Sequence, residues 1–220
     1  GLLTPRLLEA GRRAARARGQ FIAGSAVGQR AQLLALQETH LLTGTERQVR
    51  EALHDMNSGL PAVVANLLQL TGGQTAIVSL RKRGLIGFDG REDGTLRSGR
   101  RAPADAAPAV GTTAAGRDRL RSEFVPSFAR HSIDTLGADA AVLAAGALAL
   151  AGCGSLPLAT YMAVAAESQV VSYSGGHPPN AAALLALFER RPELNTASGF
   201  VSDAGPGGVV NEDAPCTVHN

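Results

Sequence analysis

Apolar and polar positions along the chain alternate between helical spacing and short apolar bursts, and the switches between them carry clear start and stop signals. Thr4-Pro5 predicts a helix start, with Thr4 as N-cap and Pro5 at the first helical position. Leu7, Leu8 and Ala14 would form its inner face, Arg12, Arg13, Arg16 and Arg18 would lie outside, and Gly19 would end it. Phe21-Ile22-Ala23 reads as a short strand. Apolar pieces at 33–36 and 40–42 flank a loop, after which Thr43-Gly44-Thr45-Glu46 caps a helix reaching about His54. Residues 60–71 have helical spacing, with Pro61 at the start and Gly72-Gly73 as the stop. The β-branched run at 75–80 is a buried strand, 84–88 is the next, and Arg81-Lys82-Arg83 forms the tight turn between them.

Beyond the Asp89-Gly90 turn the periodicity fades. Residues 91–121 are rich in Gly, Ala, Pro and Arg, and 102–116 reads as a surface insertion or flexible loop. The pattern returns with a strand at 124–128, a polar turn at 134–138 and an alanine-rich apolar helix over 138–152. Ser155 caps a second helix reaching about Ser172. Residues 174–179 break it, and Asn180 caps a last helix over 181–190. The Gly-, Pro- and Asp-rich remainder, 191–220, reads as an extended tail. Helices alternating with strands place the chain in the α/β class.

Composition changes this picture little. The 220 residues carry a formal net charge of +2, too small for the electrostatic footprint of a nucleic-acid binder. No apolar run is long enough for a convincing membrane span. Cys153 and Cys216 match no metal or redox spacing, and Cys153, at a helix end, is expected to be a buried thiol. This cysteine usage suits an intracellular or organellar protein rather than a secreted one. The five histidines show no zinc spacing. His131 stands three residues before Asp134, close enough for a local hydrogen bond, and is read as structural.

The candidate chemistry lies at Asp134-Thr135-Leu136-Gly137-Ala138-Asp139-Ala140. A glycine-bearing turn that opens a helix gathers unpaired backbone N–H groups and the positive end of the helix dipole, which favours an anion. The run resembles the signature of the PfkB (ribokinase-like) carbohydrate kinases, Asp-Thr-x-Gly-Ala-Gly-Asp, which in that family cradles phosphate and carries the catalytic base. Asp139 stands where that pattern has its last glycine, and Ala140 where it has the base. The turn at 79–84 is similar to the family's Thr-x-Gly-x-x-Gly hairpin, with Ser79 and Gly84 fitting and Arg81 in place of the middle glycine. Residues 43–48 resemble the Thr-Pro-Asn-x-x-Glu segment that organises magnesium, with Thr45 and Gln48 at the Asn and Glu positions; helix capping is the preferred reading there. Gly24-Ser25-Ala26 stands where the heptose-kinase branch has an aspartate-proline-lysine run. Val164 matches an asparagine that sits near the adenine.

The resemblance spans residues 1–190 in order and is closest to the heptose-phosphate kinases. It implies a ribokinase-like three-layer α/β/α fold, represented by its C-terminal portion without the N-terminal strands and lid. Ser79, Arg81, Gly84, Asp134, Thr135, Gly137 and Ala138 would form a vestigial nucleotide site. Ala140 cannot accept a proton, and a like charge ~4 Å from a phosphate at an effective dielectric of ~20 costs about 4 kcal/mol. The sequence is therefore read as a catalytically inactive homologue needing no cofactor, a structural or interaction subunit among other proteins of a larger assembly. An ATP- and magnesium-dependent sugar or heptose-phosphate kinase using Asp139 as a displaced base is the alternative, and a nucleotide-binding sensor module is a third.

Overall fold

The computed structural model describes residues 4–26, 32–91 and 120–191. The insertion expected at 91–121 and the tail expected at 191–220 fall outside them, apart from residues 91, 120, 121 and 191. Five strands form one mixed sheet in sequential order: β1 (Ala23–Ser25), β2 (Leu41–Thr45), β3 (Thr75–Ser79), β4 (Gly84–Asp89) and β5 (Arg121–Pro126). β1, β2 and β3 are parallel, with Leu41 opposite Thr75 and Thr45 opposite Ser79. β3–β4 and β4–β5 are antiparallel.

Among the described residues there are six α-helices. α1 (Pro5–Ala17) begins as predicted, the Thr4 hydroxyl accepting from Leu7 N, and ends before Gly19. α2 (Glu46–Leu53) and α3 (Leu60–Thr71) form the crossover between β2 and β3. α4 (Ala138–Cys153) and α5 (Leu156–Val171) are the alanine-rich pair, and α6 (Ala181–Glu189) follows its Asn180 cap. Alternation along each strand divides the core into two layers. Leu42, Ala76, Val78 and Phe88 pack against Val49, Val63, Val64 and Leu67 of α2 and α3. On the opposite face Leu41, Ile77 and Leu85 pack against Val142, Leu150, Ala159, Ala163 and Val164 of α4 and α5. The three-layer α/β/α arrangement follows.

Small residues set how closely α5 approaches the sheet. A Cβ on Gly87 would run into Thr160 Oγ1 and lie 3.2 Å from Leu156 Cγ, so the helix sits directly on the strand backbone. Buried Arg91 secures one end: it grips Asp89 through both carboxylate oxygens and donates to the Gly154 carbonyl at 3.0 Å, joining β4 to the α4–α5 loop.

Several expectations are corrected. Leu7 and Ala14 of α1 are exposed, while Arg12 and Arg16 turn to Glu38; attraction to a carboxylate on a neighbouring loop outweighs the contact a short apolar stripe offers. The first strand starts at Ala23 rather than Phe21, because His40 Nδ1 accepts from Ile22 N and its ring stacks on Phe21. β5 begins at Arg121 and ends at Pro126, and Val125 is its one buried residue. Cys153 is exposed, three residues beyond Leu150, the last buried position of α4.

Candidate functional site

The parallel strands β2 and β3 end at Thr45 and Ser79, and their carboxyl ends open on a cleft of about 440 Å³. In α/β sheets this is the end where ligands bind. The cleft floor is Thr45 and Ser79. Arg81 and Lys82 of the β3–β4 turn, Arg130, His131 and Ser132 beyond β5, and Thr135, Ala138 and Asp139 at the start of α4 form the rim, with Glu167 and Val171 of α5 behind. Of the residues singled out in the sequence, Thr45, Ser79, Arg81, His131, Thr135, Ala138 and Asp139 meet here.

Asp134, Gly137, Gly84, Gln48 and Ala140 do not line the cleft; Ala140 is exposed, and the other four serve the frame. Asp134 accepts from Leu136 N at 3.0 Å and Gly175 N at 3.1 Å. These backbone donors, Leu136 foremost, hold its carboxyl below the usual range. Its partners are those amides rather than His131, and they tie the 134–138 turn to the glycine loop after α5. Gly137 caps α4 with φ +85°. Gly84, at φ +122°, lies against the backbone of β5. Thr45 and Gln48 form a reciprocal capping box: Gln48 N donates to Thr45 Oγ1 at 3.2 Å, and Gln48 Oε1 accepts from Thr45 N at 2.8 Å. Val164, at the adenine-side position, is fully buried in the core.

The capping box decides how a metal fits. Gln48 Oε1 is committed to the helix N-terminus and neither residue supplies a carboxylate, so a hard cation does not fit these two positions. Among the described residues no three His, Cys, Asp or Glu side chains gather. Thr45→Ala is expected to cost about 1 kcal/mol by loss of the cap, the same in urea unfolding with and without magnesium.

Arg81 has the backbone of a glycine without being one, with φ +57°. Its amide donates to Ser79 Oγ at 3.0 Å, and the Ser79 hydroxyl donates to Glu167 Oε1 at 3.2 Å. Glu167 is the cleft residue that motif reading missed. It is buried at 6% exposure, and its Oε2 has no hydrogen-bond partner. Burial pushes its carboxyl up to about 7, opposed by the Ser79 hydrogen bond, reinforced by the charge of Asp139 and opposed again by Arg81. One signal was available: Asp139 is the sole charged residue of α4 and Glu167 the sole charged residue of α5. A carboxylate buried in an apolar helix, as Glu167 is, is a costly placement, and the fold brings both residues to one cleft.

Comparison with known proteins gives a match at the level of structure alone: no family model and no curated protein matches the chain. Phosphofructokinase-2 from Escherichia coli, solved with potassium, superposes with a TM-score of 0.63 at 16% identity, over 85% of this chain and 52% of that one. Ribokinase from Arabidopsis thaliana, complexed with ribose and ATP, gives 0.58 at 18% identity over 84% and 51%. Ribokinase from Thermotoga maritima gives 0.58 at 16% identity over 80% and 52%. The fold is that of the PfkB sugar kinases. This ribokinase-like chain spans about half the length of those structures. Among its described residues no helix is long and apolar enough to cross a membrane.

Proposed function

We propose that this ribokinase-like chain is a sugar-kinase homologue that no longer transfers phosphate and serves as an interaction subunit of a larger assembly, its cleft retaining the ability to hold an anion. The observation that carries this is the first turn of α4. Asp139 brings a carboxylate to the cleft rim while the next residue, Ala140, offers no proton acceptor and does not line the cleft. Phosphoryl transfer needs a base within hydrogen-bond reach, a neutralising cation and donors aimed at the transferred group. Ser79, Arg81 and Thr135 suit the last role, and Thr45 and Gln48, spent on the cap, do not suit the second.

Calorimetry with ATP and magnesium, followed by turnover assays on heptose and hexose phosphates, tests the catalytic part. No turnover is expected. Asp139→Asn is expected to tighten binding of inorganic phosphate about tenfold, since removing an exposed, solvent-screened like charge is worth ~1.4 kcal/mol. Turnover that disappears in Asp139→Asn would instead establish the second reading, an ATP-dependent sugar or heptose-phosphate kinase with Asp139 as displaced base. The position of Asp139 at the cleft rim is what favours that alternative.

The assembly part is supported by the sheet edge. β1 is a three-residue strand paired with β2, and its outer side can accept a further strand. Light scattering of the purified chain is expected to show association, and a well-folded monomer would end the assembly reading.

A further inference from the structure

Resting on the anion-binding part of that reading, we infer that a tetrahedral oxyanion binds this cleft only while Glu167 is protonated, so that binding the anion requires one proton on Glu167. Two independent observations converge on this. The first is a buried carboxyl with one oxygen committed and one open: Oε1 accepts from Ser79, whose own lone pair accepts from Arg81 N, while buried Oε2 has no partner. Glu167 lines the cleft, and with Ser79 spent on Oε1 no donor reaches buried Oε2 to hold a charge there, so burial favours the neutral form. The second is the balance of charge around it. Facing Glu167 are Arg81 and Lys82 from the β3–β4 turn, Arg130 and His131 from the segment after β5, and Asp139 from α4. Among the described residues Arg81, Lys82 and Arg130 form no ion pair. With Glu167 neutral, three permanent cations and the α4 N-terminus outweigh Asp139, and the cleft favours an anion over a cation. With Glu167 ionised, a second negative charge joins that of Asp139 beside the anion and repels it.

Sulfate is the appropriate probe, because it carries no proton of its own near neutrality. The full chain is titrated with sulfate from about pH 5.5 to about pH 8.5 and the dissociation constant read from amide NMR shifts. Affinity is expected to fall about tenfold per pH unit above about pH 7. Glu167→Gln, whose amide does not titrate, is expected to bind sulfate with a flat profile. His131→Ala is expected to keep the slope, which separates Glu167 from the histidine at the cleft rim. Should Glu167→Gln fail to fold, calorimetry of the His131→Ala variant near pH 8 in buffers of different ionisation heat is expected to show uptake approaching one proton per sulfate. A flat wild-type profile, a slope retained in Glu167→Gln, absence of sulfate binding at the acid end, no proton uptake, or binding that strengthens as pH rises would each overturn the inference. None of these outcomes bears on turnover, so the inactive-kinase reading stands or falls separately.

Discussion

Glu167→Gln is expected to leave stability nearly unchanged at about pH 4 and to raise it by about 3 kcal/mol at about pH 8. In the unfolded chain this carboxyl has its ordinary value of 4.5, and in the fold it sits at about 7. The folded state therefore holds the proton more tightly. Below the unfolded value both states are protonated and the wild type has its full stability. As pH rises toward the folded value the unfolded chain loses its proton first, and stability drains at about 1.4 kcal/mol per unit. Above about 7 the loss is complete, because a charge now sits in a desolvated position with one oxygen unpartnered. Glutamine keeps the shape and an acceptor for the Ser79 hydroxyl but cannot ionise, so the penalty disappears. Urea unfolding of both proteins across this range measures the difference. A wild type as stable at about pH 8 as at about pH 5 would show that Glu167 is solvated or paired in solution.

Gly84→Ala is expected to cost about 3–5 kcal/mol, enough to leave a domain of this size marginal. Gly84 has φ +122°, and a Cβ there would lie against the Val125 carbonyl oxygen and 2.7 Å from Ser127 N. Those atoms cannot retreat, because Gly84 is paired with Pro126 in the β4–β5 ladder and Ser127 N donates to the Arg83 carbonyl. The contrast with Arg81, three residues earlier, is informative. Its φ of +57° lies in the left-handed region that an L residue enters for ~1 kcal/mol. Arginine is tolerated at one glycine position of the hairpin and alanine would not be at the other. Arg81→Gly, by the same reasoning, should cost little or gain up to about 1 kcal/mol. Chemical denaturation of the two variants side by side checks the pair, and equal stabilities would refute this account of the turn.

How much of this was legible in the sequence follows the range of the interactions involved. Thr4, Thr45, Ser155 and Asn180 were readable as caps because a cap is a hydrogen bond between residues three apart, and the intervening chain specifies it. The β-branched run before Arg81 and the glycines at 72 and 137 were readable for the same local reason. The 134–140 motif was readable because a family resemblance survives in residue order, and the structural matches agree with the fold it implies. Exposure at Leu7 and Cys153 was not readable, since helical spacing says which residues share a face and nothing about whether another element covers it.

The sequence by itself determined the helix starts after Thr4, Thr45, Ser155 and Asn180, the α/β class, and the standing of Ala140 beside a carboxylate at Asp139. Only the tertiary structure decided that Ser79 would meet a carboxylate 88 residues away, and that the lone charges of α4 and α5 would share one cleft. The reason is physical: a cap is closed by its own neighbours, whereas the state of a buried carboxyl is set by whatever the fold packs around it.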